Sequence, residues 1–156
     1  MAVECLIPFE ILGPLSGPIL DIGSGGGFPG IIIALAFPGH ELSLIERTGK
    51  KARFLEKATR RLDIDARIIN RDFVVAAPCL EASSFGSAFM KLIRLEKKIL
   101  KAAMPLIRPD GVFVWYAGIS RLDFSLPDTI KASEYCYYLN DSKQLRSFIA
   151  FSHRTE

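Results

Sequence analysis

The stretch Ile19-Leu20-Asp21-Ile22-Gly23-Ser24-Gly25-Gly26-Gly27-Phe28-Pro29-Gly30 decides the fold. An apolar run ends in an acidic residue, enters a glycine cluster, and passes through Pro29 into a second apolar run over residues 31–37. That order predicts a buried strand, a tight turn and the start of a helix. Glycines in such a turn let backbone N–H groups and a helix N-terminus approach a nucleotide-like ligand closely.

Working outward, residues 18–22, 42–46, 66–70 and 112–116 are short apolar runs bounded by Gly, Pro, Asp or Arg, and each reads as a strand. Helical patterns lie between them. Over 49–62, Leu55, Ala58 and Leu62 recur at helical spacing while Lys50, Arg53, Lys57 and Arg60 fall mainly on other faces. Over 92–106, Leu92, Leu95, Ile99 and Ala103 form an apolar stripe, and Pro109-Asp110-Gly111 then turns into the next strand. Alternating strands and helices predict an α/β fold with a mostly parallel sheet covered on both faces. The tail differs. Residues 131–139 and 145–153 are strand-like runs joined by Asn140-Asp141-Ser142-Lys143, so an antiparallel hairpin is expected at one sheet edge.

A chain of 156 residues suits a single domain over 1–156. Its 49% hydrophobic content argues for a packed core rather than disorder. No apolar stretch approaches the roughly 20 residues of a membrane span. Residues 1–12 contain Glu4 and Glu10 and no basic segment, which is unlike a signal peptide. Cys5, Cys79 and Cys136 are odd in number and widely spaced, which suits a reduced, cytoplasmic setting with neither a disulfide framework nor a zinc site. With only His40 and His153 present, histidine-based metal or triad chemistry is poorly supplied. The net charge of +3 decides little, but its distribution is informative. Arg47, Lys50, Lys51, Arg53, Lys57, Arg60 and Arg61 are opposed locally only by Glu56. Such a run is either a phosphate-attracting patch or a solvated helix face.

Which ligand the turn serves depends on its frame. The dinucleotide fingerprint Gly-x-Gly-x-x-Gly, counted from Gly23, puts Phe28 where the third glycine must be. A literal match at Gly25, Gly27 and Gly30 starts two residues late and contains Pro29, and reads as accidental. The frame that fits the strand is Asp21-x-Gly23-x-Gly25-x-Gly27, which resembles the turn of class I S-adenosylmethionine-dependent methyltransferases. Glu46 ends the second strand run, where a carboxylate can accept hydrogen bonds from both hydroxyls of a ribose; the alternative is a solvated strand end. Asp72 follows the third strand run and is either beside an adenine or an exposed turn residue.

Three matches then point to one family. Gly25-Gly26-Gly27-Phe28-Pro29-Gly30 with its Ile-rich continuation, Glu46-Arg47-Thr48-Gly49-Lys50-Lys51-Ala52-Arg53-Phe54-Leu55, and more weakly Asn70-Arg71-Asp72 resemble the bacterial family once called glucose-inhibited division protein B. Its members form 7-methylguanosine in small-subunit (16S) ribosomal RNA. Two departures stand out. Residues 1–17 precede the turn where members carry a helical segment of several tens of residues, so most of that segment is expected to be lacking. The family's fourth strand ends in Ser-Arg-Ala, whose Arg reaches the active site; the text here is Phe85-Gly86-Ser87-Ala88-Phe89, which reads as an abbreviated strand without the Arg.

The resemblance implies S-adenosylmethionine as cofactor, with Asp21, Gly23, Gly25, Gly27 and Phe28 shaping its pocket, Glu46 on the ribose, and Asp72 and Phe73 bordering the adenine. It implies ribosomal RNA as partner, with Lys50, Lys51, Arg53, Lys57 and Arg60 on phosphates, and requires no metal, membrane or oligomer. Guanine N7 has an available lone pair, so no general base is needed and no catalytic residue is named. Phe28, Phe89 and Trp115 are either base-stacking residues or core. A same-fold enzyme with a small-molecule or protein acceptor, and a cofactor- or RNA-binding relative without turnover, remain alternatives. A nicotinamide dehydrogenase is disfavoured by Phe28.

Overall fold

The computed structural model describes residues 2–14, 16–139 and 144–154; the expected turn Asn140 to Lys143 lies outside the described residues. Seven strands form one sheet: β1 (Ile19–Ile22), β2 (Leu42–Ile45), β3 (Ala66–Ile69), β4 (Phe85–Lys91), β5 (Ile107–Gly118), β6 (Ile130–Tyr138) and β7 (Leu145–His153). Their order is β3-β2-β1-β4-β5-β7-β6. The first five are parallel, β7 runs antiparallel to β5, and β6 antiparallel to β7. The helices are α1 (Ala2–Leu12), α2 (Gly30–Ala36), α3 (Gly49–Arg61), α4 (Phe73–Ala76) and α5 (Lys97–Ala103).

All four residues of β1 are buried, because the strand is central and covered on both faces. One apolar cluster joins Leu20, Ile22, Phe73, Ile99 and Trp115 on the α4–α5 side. The other joins Ile19, Ile31, Leu44, Leu55 and Phe89 on the α1–α2–α3 side. On α3, Ala52, Leu55 and Thr59 face inward at helical spacing, and the cations take the remaining surface. Gly30 opens α2 at a close approach. A Cβ there would lie 2.6 Å from Leu44 Cδ2 and 2.7 Å from Asp21 Oδ2. The glycine discounted in the shifted frame therefore sets how tightly α2 packs on the sheet.

Two expectations are corrected. β4 is not abbreviated: it is a seven-residue, fully buried strand, and it ends in a cation, Lys91. Gly86 and Ser87 resemble turn residues in sequence, yet the glycine fits because the Ser16 carbonyl crowds the space its Cβ would take. The helix expected over 92–106 begins only at Lys97. Leu92 has φ +60°, a left-handed conformation that breaks helical continuity despite the apolar stripe.

After β1 the chain builds outward through β2 and β3, whereas β4 and β5 lie on the other side of β1. Connections diverge between β1 and β4, which opens a crevice at the carboxyl ends of these strands.

Candidate active site

The crevice has a volume of about 630 Å³. Gly23, Ser24, Gly25, Gly26 and Phe28 form one wall, and Glu46, Thr48, Lys51, Arg71, Asp72 and Phe73 another. Strand ends and helix starts supply both, and the N–H groups of Gly23 and Ser24 bind the Ile45 carbonyl, which fixes the turn to the end of β2. Gly23 and Gly25 have φ +71° and +55°, which glycine adopts without strain.

Glu46 is 5% exposed. Its Oε2 accepts the Gly25 N–H at 2.9 Å and its Oε1 the Thr48 N–H at 2.7 Å, while Asn70 Nδ2 donates to its backbone carbonyl at 2.8 Å. Burial alone would push its carboxyl up, but the Thr48 and Gly25 hydrogen bonds and the charge of Lys51 hold it below the usual carboxylate range. The group is therefore an anion, and a carboxylate has about four acceptor positions, more than the Gly25 N–H and the Thr48 backbone and side chain engage. Asp72 caps α4, its Oδ1 accepting from Val74 N–H at 2.9 Å.

Two expected residues are not on the wall. Asp21 is fully buried behind the turn, where its Oδ2 accepts the Gly30 N–H at 3.0 Å and its backbone carbonyl accepts the Ser24 hydroxyl at 3.0 Å. Burial pushes its carboxyl up to about 7 against those hydrogen bonds. Its carboxylate is engaged inside the turn and does not line the crevice. Gly27 is buried with φ +90° against Ile31, and serves the turn's shape. Among the α3 cations, Lys51 lines the crevice, and Lys50, Arg53, Lys57 and Arg60 lie along the outer faces of the helix. Phe89 and Trp115 are core residues, and the Trp115 indole N–H donates to the Ile93 carbonyl at 2.9 Å. Phe28 is half-buried on the crevice wall.

A second cavity of about 520 Å³ adjoins the first, and Lys91, Leu92 and Ile93 line both. Lys91 is 5% exposed. Its ammonium pairs with Glu4 of α1 and lies 4.8 Å from the Tyr116 ring centroid. Glu4 also accepts from Arg146 at 2.9 Å and from the Tyr137 hydroxyl at 3.0 Å. Burial would raise the Glu4 carboxyl, but hydrogen bonds from Lys91 and Arg146 hold it lower than usual. The sequence pattern does not bring these residues together. The only signal is a lone charge in each of two apolar runs, Glu4 near the start of the chain and Lys91 after the run over 88–90.

The sheet order, the glycine turn and the acidic end of β2 together define the class I S-adenosylmethionine-dependent methyltransferase fold. Solved structures agree on the fold. A point variant of MtNAS in complex with S-adenosylmethionine superposes with TM-score 0.74 at 15% identity, over 98% of this chain and 62% of that one. Cofactor-bound Rv0187 from MTB gives 0.73 at 18%, over 99% and 79%. Residues 2–135 match the family described as rRNA small subunit methyltransferase G, GidB, and the chain belongs to that family. Among curated relatives named ribosomal RNA small subunit methyltransferase G, that of Prochlorococcus marinus (strain MIT 9313) is 30% identical over 70% of this chain and 49% of its own length. The Stenotrophomonas maltophilia (strain K279a) protein is 34% identical over 66% and 48%, and that of Gluconobacter oxydans (strain 621H) 36% over 74% and 58%. The chain thus spans about half the length of the curated relatives it matches. No helix among the described residues is long and apolar enough to cross a membrane.

Proposed function

We propose that this chain is an S-adenosylmethionine-dependent methyltransferase that forms 7-methylguanosine in small-subunit ribosomal RNA, acting in the cytoplasm. The observation that carries the reading is the Glu46 carboxylate, anionic and fixed by Gly25 and Thr48, on the wall of the crevice where the strand order diverges.

The residues fit such a cofactor. Glu46 would accept from the ribose hydroxyls with the acceptor capacity that Gly25 and Thr48 leave. Gly23 and Gly25 leave the turn bare of side chains, so the methionine portion reaches the backbone. Asp72 and Phe73 border the adenine, and Phe28 closes the glycine side. When bound, the cofactor supplies a methyl group activated by a sulfonium centre. The protein's task is alignment and exclusion of water, and positioning of this kind contributes roughly 7–11 kcal/mol in the best intramolecular cases. Guanine N7 offers its lone pair without prior deprotonation, so the chain needs no general base. Lys50, Lys51, Arg53, Lys57 and Arg60 would contact phosphates, which orients RNA without reading its sequence.

The test is calorimetric titration of S-adenosylmethionine, followed by tritium transfer to small subunits from cells lacking this methylation. Saturable binding with label in the small-subunit RNA supports the reading; absence of cofactor binding overturns it.

A further inference from the structure

The crevice accounts for a methyl donor but leaves the second cavity without an occupant. That cavity has an unusual lining. Leu92 and Ile119 are 77% and 72% exposed, and Leu92 adopts φ +60°, a conformation that Leu rarely takes. Two large apolar side chains are thus held in the open, one of them by a strained backbone at the lip shared with the crevice. Around them stand four cations, Lys91, Arg94, Arg121 and Arg146, against two carboxylates, Glu4 and Asp123. The excess of cations suits a polyanion, and the exposed apolar pair suits the face of a ring.

We propose that the second cavity seats the acceptor nucleotide as a single purine extruded from RNA, its ring against Leu92 and Ile119 and its edge toward the Lys91–Glu4 pair. The proposal rests on the methyl-transfer reading above. An enzyme acting on a ring atom of a stacked base must take that base out of the stack, and single-stranded bases are recognised by ring contacts together with hydrogen bonds to their edges. Lys91 carries three donors and Glu4 engages one, which leaves a donor for a base carbonyl such as guanine O6. Arg121, exposed at the rim, is placed for a flanking phosphate, whereas Arg94 pairs with Asp123. The pairing with Glu4 has a further use. Transfer to a ring nitrogen moves positive charge from the donor to the base, and a bare ammonium beside that base would oppose it. The Glu4 carboxylate offsets part of the charge of Lys91 and Arg146, which lowers that opposition.

Ile119 lines the second cavity but not the crevice, which separates the two claims. In tritium transfer to undermethylated small subunits, Ile119→Asp is expected to raise KM for the subunit at least tenfold, with S-adenosylmethionine affinity within twofold of wild type. A wild-type KM in this exposed variant overturns the seat. Trp115, the chain's only tryptophan, lines the same cavity and reports occupancy without turnover. Guanosine 5′-monophosphate should quench its fluorescence saturably in the wild type and at least tenfold more weakly in Ile119→Asp. Equal quenching in both, or none in either, also overturns the seat. A wild-type chain that binds no S-adenosylmethionine overturns the parent reading instead.

Discussion

The Gly25 N–H donates to the Glu46 carboxylate at 2.9 Å, which ties the turn after β1 to the end of β2. Residues 21 positions apart in sequence thereby join the two walls of the crevice, and the charge that would receive a ribose is also the group that shapes the turn.

Replacement of Glu46 should consequently weaken the cofactor site in two ways. Glu46→Gln has one acceptor oxygen for two backbone donors, so either Gly25 or Thr48 loses its partner. Hydrogen bonds to charged groups contribute about 1.5–3 kcal/mol. The expected result is a roughly 10- to 100-fold rise in the Kd for S-adenosylmethionine, read by calorimetry, together with a fall in melting temperature from the lost backbone bond.

Asp21 sets a pH dependence of stability. Its native carboxyl titrates near 7, against 3.8 as the ordinary value. Between about pH 4 and 7 the unfolded chain ionises at this residue while the folded chain does not. Stability from this group is therefore full below that window, falls as pH rises through it, and is flat above. Asp21→Asn removes the titration but keeps an acceptor for Gly30. Urea midpoints at about pH 4, 5.5 and 7 should move in the variant's favour as pH rises, by on the order of a few kcal/mol in total.

Gly30→Ala tests the packing of α2. The added methyl meets Leu44 and Asp21 at sub-contact distance, and overpacking of this kind costs about 1–3 kcal/mol. Chemical denaturation should show that loss, whereas alanine at Gly39, where a Cβ meets nothing within 4 Å but φ is +93°, should show backbone strain alone.

Glu4→Gln leaves the buried Lys91 ammonium without its counter-charge. Breaking one side of a buried pair typically costs about 3–5 kcal/mol. The double variant Glu4→Gln/Lys91→Met removes both charges and should recover most of that loss in equilibrium unfolding.

Alanine at Lys50, Lys57 and Arg60 should weaken RNA binding and make its salt dependence shallower, by about one unit of logarithmic slope for each phosphate that no longer meets a cation. A slope unchanged in the triple variant would identify this stretch of α3 as a solvated face only.

The parts of the fold legible in the sequence are those written locally. The strand, glycine turn and helix over 19–36 occupy contiguous residues, and Glu46 ends the next strand, so spacing alone places them. The strands of the tail hairpin are readable for the same reason. What escapes such reading is long-range. Glu4 and Lys91 pair across 87 positions, and no periodicity links them. β4 reads as short because Gly86 and Ser87 carry turn composition, yet tertiary packing overrides it in the centre of a sheet. Leu92 continues an apolar stripe, but its left-handed backbone delays α5 to Lys97. The glycine motif assigns Asp21 to the cofactor because a motif gives position along the chain and not depth below the surface.

The cluster around Glu4 draws on α1, β4, β6 and β7, and its last member, Arg146, lies 142 positions after the carboxylate it meets. During synthesis, the glycine turn and Glu46 emerge from the ribosome long before that arginine does. A chain that ends before β7 leaves Glu4 with Lys91 and Tyr137 but without Arg146, and β5 lacks the neighbour that covers its edge. β7, the last strand of this sheet in chain order, thus both completes the Glu4 cluster and covers the edge of β5.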